Sequence, residues 1–553
     1  MTSMLAAALA LLLPAASDDL PTLGRDFWAW RARTQPSSSD DIPRLTRPDG
    51  WAPDWSGASI AQRREALAAF ERRWKAIPPG TSIPDQVDHR LLGSALARVH
   101  WELDVVGGWR KNPTFYVDQT VGAVFELLTP PPPFSAARSA DIVRRLEVIP
   151  RTLTLARENL DQMRAPFVRL ALEDLDRIRP RLQAMAAALG PLLAGGAGEA
   201  GPAAERAGQA LDAFRSWLQE KLPGLPEETA AGRGAYLYFL REVALVPFTP
   251  ELLVAMGRQE LDRALAFEGI ALNRSRNLPP LPFLPDAAAL VAREHSDEET
   301  VRRFLATEQL LTLPPFVRHY RFRPVPAYLA ALGEVGVLDD LTSPERLDQD
   351  GTAYVDTPSA KLGYFQRVAA RDPRIQIVHE GAHYFQAVLS FANPDPLRRH
   401  YYDSGPNEGL AFYNEEMMLQ AGLFDDSPRS RDLLYGMMRL RALRVEVDVR
   451  LALGTFSLEE ATQYLADKVP MDRATARAEV ALFSAVPGQA ISYQVGKLQI
   501  LRLMADARLR QADRFRLLAF HDFLWTNGNV PLSLQRWEML GLRDEVDALA
   551  TLR

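Results

Sequence analysis

Helical periodicity constrains this chain more than any other feature. Long stretches of Ala, Leu, Arg and Glu return apolar residues every three or four positions, and Val/Ile/Thr alternation is scarce. A mainly α fold follows. The 41 prolines punctuate these stretches without filling them. Thr249-Pro250-Glu251 reads as a helix cap, then proline at the first helical position. Ser457 with Glu460 forms a capping box. Loops are expected over Thr34 to Asp54, at Pro130 to Pro133 and across the Gly/Ala-rich Leu193 to Gly201. One strand stands out, Thr352 to Asp356, and a small hairpin or sheet is expected there. With 553 residues the chain is long enough for about three to four units. The Pro-rich joint Leu278 to Pro285 divides it into an N-terminal helical lobe, 18–277, and a second helical lobe, 278–553.

Charge excludes some partners. Lys and Arg number 64 and Asp and Glu 70, a net of −6, so there is no electrostatic footprint for nucleic acid or an anionic membrane. Cysteine is absent. Disulfides, thiol nucleophiles, Cys-ligated metals and lipoprotein-type acylation are therefore excluded. A transition metal would have to sit on His, Asp or Glu. Only eight histidines are present, so their positions are informative.

The N-terminus has its own character. Leu5 to Ala16 is a Leu/Ala run too short to span a bilayer. Ala15 and Ser17 suit cleavage before Asp18. Residues 1–17 thus read as a signal peptide, although Met1-Thr2-Ser3 carries no positive charge. A periplasmic or secreted protein is expected, with no stable membrane insertion after removal of the signal. If the segment is not cleaved, the protein is cytoplasmic.

The chemistry concentrates in Ile377-Val378-His379-Glu380-Gly381-Ala382-His383, an H-E-x-x-H motif. About 0.01 such matches are expected by chance in this length. Residues four apart share a helix face, so His379 and His383 can reach one Zn²⁺. Glu380 is turned aside by about 100° and can act as general base. Ile375, Val378, Ala382, Phe385 and Leu389 form an apolar stripe beside the histidines. Asp372 and Pro373 open the helix, and Asn393-Pro394 ends it. A zinc site needs a third protein ligand. The extended motif with a third histidine is excluded by Gln386 and Leu389. Glu408 is the preferred ligand, one turn into a helix that Gly405-Pro406 would start. Asp403, His400 and Glu415 are the other possibilities, and Glu415 also fits a supporting position behind the ligands.

From about Asp88 to Leu534 the chain resembles the bacterial family of unknown function DUF885. The resemblance rests on Glu408-Gly409-Leu410-Ala411-Phe412-Tyr413, on Pro487 to Lys497, on Phe520-His521-Asp522, and on Trp109 to Tyr116 with its Asn112-Pro113. Many members carry a longer Pro-Gly-His-His metal helix, whereas this chain has the compact form. The family is similar in outline to the helical zinc peptidases, thimet oligopeptidase and the angiotensin-converting enzyme group. In those, the third ligand is a Glu about 25 residues past the second histidine, the offset of Glu408. The resemblance implies two helical lobes around a deep cleft and hydrolysis of a peptide substrate. It implies Tyr493 as the oxyanion donor, with His521 second. Gln489 and Lys497 would grip substrate backbone or a terminal carboxylate. The strand around Tyr354 would offer an edge to an extended peptide. Two other readings stay open: a zinc hydrolase of an ester or non-peptide amide, and an inactive binding protein on the same fold.

Overall fold

In the computed structural model, residues 19–38, 45–195, 197–333 and 335–553 are described. The expected signal peptide lies outside them. Helices dominate, as the periodicity requires, and one three-stranded sheet interrupts them. Among the described residues, no helix is long and apolar enough to cross a membrane.

Local signals place many helix ends. Thr249 caps α1 (Pro250–Ser275) by accepting from the Leu252 amide. Ser457 and Glu460 form the reciprocal capping box ahead of Leu458–Lys468. One expected loop is instead helical. Helix Ala197–Lys221 begins within Leu193 to Gly201. Its Ala200, Ala203, Ala204 and Ala207 are all buried, and a packed alanine stripe outweighs the scattered glycines.

Two large cores result. The first is built chiefly from the N-terminal helices up to Leu245. The second gathers α1, α2 (Ala287–Thr307), the sheet and most helices after residue 360. The sheet has the order β1 (Tyr320–Pro324), β3 (Gly351–Val355), β2 (Asp339–Asp340). β1 runs parallel to β3 with Tyr320 opposite Gly351, and β2 runs antiparallel with Asp340 opposite Thr352. The strand expected around Tyr354 is thus real but central. Both its edges are already paired, so it cannot accept a peptide as an added strand. The Tyr354 hydroxyl donates to the Thr129 carbonyl at 2.9 Å, and its ring packs in the first core.

The sheet buttresses the helix that carries H-E-x-x-H. That rod, α3, runs through Pro373–Gln376, a π-helical turn Ile377–Gly381, and Ala382–Phe391. Asp372 caps it, accepting from the Arg374 amide. Gly351 is required where rod and sheet meet, because a Cβ there would lie 2.5 Å from the Tyr384 ring. The apolar stripe predicted for this helix is entirely buried. Behind α3 lie α4 (Ser404–Ala421), α5 (Pro428–Ala452), α6 (Ser492–Gln511) and α7 (Leu517–Thr526).

Candidate metal centre

The two histidines project from the π turn and the first helical turn after it. π-helical turns are rare and often mark functional sites. The His379 and His383 rings stand edge to face, 5.1 Å apart at 86°. Glu408 reaches them from α4: its Oε2 lies 3.5 Å from His379 Nε2 and 3.3 Å from His383 Nε2. Donors held about 2.0–2.1 Å from a tetrahedral zinc lie about 3.3 Å from one another, so the two distances to Glu408 fit donors sharing one cation. Glu408 Oε2 is buried and receives no hydrogen bond, and His383 Nδ1 is also unbonded. A buried carboxylate oxygen without a donor is costly unless a cation satisfies it. The donor set therefore fits a divalent metal of the zinc type.

Glu380 differs from the three donors. Its side chain is 32% exposed, against 9%, 4% and 14% for His379, His383 and Glu408. Its Oε1 stands 4.0 Å from His379 Nε2. It faces open space beside the centre, where a base must meet its proton.

A second layer fixes the donors. His379 Nδ1 lies 2.7 Å from Glu415 Oε1, and Arg441 donates to the same oxygen at 3.1 Å. A carboxylate behind a ligating imidazole sets its orientation and basicity. Burial pushes the His379 imidazole down, but Glu408, Glu415 and Glu380 outweigh it and raise it to about 9. Burial likewise pushes Glu408 up, and His383 and His379 outweigh it, holding its carboxyl well below the ordinary range. Asn414 donates to the Val378 carbonyl at 2.7 Å, and Asn407 donates to Gln386 at 2.7 Å, tying α4 to α3.

The opposite face of α4 meets α6 almost backbone to backbone. A Cβ on Gly409 would sit 2.6 Å from Gly496 Cα, and one on Gly496 would run into the Gly405 carbonyl oxygen. This crossing brings Tyr493 to the centre. Its ring lies parallel to His379, 6.1 Å away at 8°. The Arg444 guanidinium covers it 4.4 Å from the ring centroid and pairs with Glu479 at 2.7 Å. The loop before α6 is held by Asp448, which accepts from the Gly488 amide at 2.9 Å, the Ala490 amide at 2.8 Å and the Tyr236 hydroxyl at 3.0 Å.

Other expected site residues lie elsewhere. His521 is fully buried between two partners, with Nδ1 2.6 Å from the Leu310 carbonyl and Nε2 2.8 Å from the Tyr413 hydroxyl. The carbonyl accepts only, so Nδ1 is the donor and Tyr413 donates to Nε2. Burial pushes His521 down to about 4. It is a core histidine with no free nitrogen for an oxyanion. Tyr413→Phe should therefore destabilise the fold by about 1–3 kcal/mol and leave turnover per folded molecule unchanged. Thermal melts beside rate measurements check this; a large rate loss would return His521 to the site.

Lys497 is also internal. Its ammonium pairs with Glu416 at 2.7 Å and Glu260 at 3.3 Å, over the Phe412 ring, and the side chain is 1% exposed. A lysine so engaged has nothing left for a substrate. Asp403 caps α4 and pairs with Arg98 at 2.6 Å. The His400 ring stands 6.2 Å from Trp28. Gln489 is buried beside a cavity of about 660 Å³.

Asp339, on β2, was not anticipated. Burial and the charge of Glu380 push its carboxyl well above the ordinary range, against the Tyr320 hydroxyl, which donates to it at 3.4 Å. No local motif marks Asp339, Arg441 or Arg444, since each reaches the centre only through tertiary packing.

Comparison with known proteins agrees with this fold. A family model described as "Bacterial protein of unknown function (DUF885)" matches residues 41–539. No curated protein matches the chain. Two solved structures share the fold. One is titled "a putative lipoprotein of unknown function from Shewanella oneidensis", with a TM-score of 0.72 and 17% identity, covering 95% of this chain and 100% of that one. The other is titled "the putative lipoprotein from Colwellia psychrerythraea", with a TM-score of 0.73 and 16% identity, covering 96% and 99%.

Proposed function

Because the chain belongs to the bacterial DUF885 family, whose description assigns no activity, its function must be read from its own centre, and we propose a zinc-dependent peptidase. His379, His383 and Glu408 would hold the metal. The observation that carries this reading is the convergence of two Nε2 atoms on one Glu408 oxygen at 3.3 and 3.5 Å, with that oxygen otherwise without a hydrogen bond. Zinc bound there supplies Lewis acidity, lowering the pKa of a water towards ~7 and polarising a carbonyl. Glu380 takes the proton of the attacking water on its carboxylate and hands it to the departing amine. Tyr493, beside His379, offers its phenol O–H to the developing oxyanion. Glu415 and Arg441 keep His379 in register. A two-lobed helical peptidase architecture with a substrate cleft belongs to the same reading.

Export belongs to it as well. The Leu5 to Ala16 run supports it, and both structural neighbours carry the word lipoprotein in their titles. Anchoring by a lipidated cysteine does not carry over, since these 553 residues contain none.

The test combines metal analysis with a peptide-library digest read by mass spectrometry. About one zinc per chain is expected, with cleavage stopped by chelation and restored by zinc. Protein without metal that still cleaves peptides would overturn the centre. A zinc-loaded protein that cleaves esters but no peptide would overturn the choice of bond. Glu415→Gln should weaken zinc binding by about 10–100-fold, measured by competition with a coloured chelator. Unchanged affinity would remove Glu415 from the supporting layer.

A further inference from the structure

Helix α5 supports the centre at two places. Arg441 and Arg444 stand one turn apart on it, so their side chains leave the same face. Arg441 reaches Glu415 behind His379. Arg444 turns instead to Tyr493. Its guanidinium lies 4.4 Å from the centroid of that ring, and the guanidinium of Arg441 lies 5.8 Å from it. The Tyr493 ring in turn lies parallel to His379, 6.1 Å away at 8°. Arg444 is thus joined through one aromatic ring to a donor of the centre.

Fold stability does not account for Arg444. The residue is buried, with its guanidinium 5.7 Å from the Phe365 ring and 5.5 Å from the Phe483 ring. It pairs with Glu479, from helix Arg473–Ala485, its Nε donating at 2.7 Å. Its Nη1 is buried and donates to nothing among the described residues. Withdrawing two charges from water often costs more than their pairing returns, and apolar side chains of similar volume are commonly as stable in their place. An unsatisfied donor adds to that cost. A methionine would fill the space between the two phenylalanines with neither cost. What only a cation supplies here is its field on the face of Tyr493.

We propose that Arg444 is a positioning residue for Tyr493: it holds the phenol ring parallel to His379 and strengthens its O–H as a donor to the developing oxyanion. This rests on the function proposed above, in which Tyr493 makes that bond. A cation over an aromatic face is attracted by the electrons of the ring. When the phenol donates to an oxyanion, negative charge moves onto its oxygen and ring, and the attraction to Arg444 grows. The gain is larger at the tetrahedral stage than with bound substrate, which is the condition for acceleration. Arg444 gives up no proton, because a guanidinium stays charged throughout. Glu479 keeps it from swinging off the ring.

The test is a double-mutant cycle on full-length, zinc-loaded protein. Arg444→Met made together with Glu479→Gln removes the cation without stranding its carboxylate. This charge-free variant is prepared with and without Tyr493→Phe. Alone, it should lower kcat about ten- to thirtyfold, while KM and zinc affinity hold. It should weaken calorimetric binding of a phosphonate tripeptide, whose tetrahedral oxygens stand in for the oxyanion, by the same factor. Beside Tyr493→Phe it should cost less than about twofold. Arg444→Lys, which keeps a cation over the ring, should recover most of the loss. A loss equally large beside Tyr493→Phe, one that Arg444→Lys does not reduce, or zinc lost in step with activity would overturn the role. If the charge-free variant does not fold, Glu479→Gln alone carries the cycle: a smaller loss that vanishes beside Tyr493→Phe is expected, and one that persists there overturns the proposal. Phosphonate binding that depends on Arg444 through Tyr493, in a protein that hydrolyses no peptide, would sink the peptidase and keep Arg444. Peptide hydrolysis with additive losses would do the reverse.

Discussion

Glu380→Gln should lower peptide hydrolysis by about 10²- to 10⁴-fold while the protein keeps its zinc. The asymmetry of exposure is the reason. Three donors are withdrawn from solvent and converge, whereas Glu380 is the most exposed of the four at 32% and stands 4.0 Å from His379 Nε2. Glutamine fills the same space and can still hydrogen bond, but it cannot accept a proton at neutral pH. Metal content should therefore hold while turnover falls. Glu408→Gln should behave differently, because it weakens a donor placed between both imidazoles, and there metal and activity should leave together. The pair of variants separates proton transfer from metal binding. Wild-type turnover in Glu380→Gln, or loss of zinc in step with activity, would remove Glu380 from its role as base.

What could be read along the chain was local. His379, Glu380 and His383 stand within one turn, so their shared face follows from helix geometry. Glu408 and Glu415 are seven residues apart on one helix, and both reach His379 because that spacing keeps them on one face. The cap at Thr249 and the capping box at Ser457 are likewise three-residue events. The misplaced residues all depend on distant partners. Lys497 reads as a substrate contact until α1 brings Glu260 and α4 brings Glu416 to it. By resemblance His521 is the second candidate for the oxyanion donor, beside Asp522 in the sequence. Instead Asp522 accepts from Thr312, and His521 turns inward to Leu310 and Tyr413. The strand at Tyr354 was visible as β-branched and aromatic residues, but no strand reveals alone whether it is an edge.

Gly496→Ala should be among the most damaging single-methyl substitutions in the molecule. A Cβ there meets the Gly405 carbonyl oxygen and comes within 2.7 Å of Gly409 Cα. Both are backbone atoms of α4, so no side chain can swing away to make room. The helices must separate, and overpacking costs of about 1–3 kcal/mol are then a lower bound. The consequence for the centre is more specific than lost stability. Glu408 sits on one of the separating helices and Tyr493 on the other, while His379 and His383 stay with α3 and the sheet. Moving α4 bodily would strain its ties to α3 through Asn407 and Asn414. Moving α6 instead would lift Tyr493 from its stack on His379. Zinc affinity distinguishes the two. A fall in affinity would mean that α4 yields. Unchanged affinity with slowed turnover would mean that α6 yields and that Tyr493 contributes from its place on it. A variant that melts like the parent, with affinity and turnover intact, would show that this crossing does not set the positions of Glu408 and Tyr493.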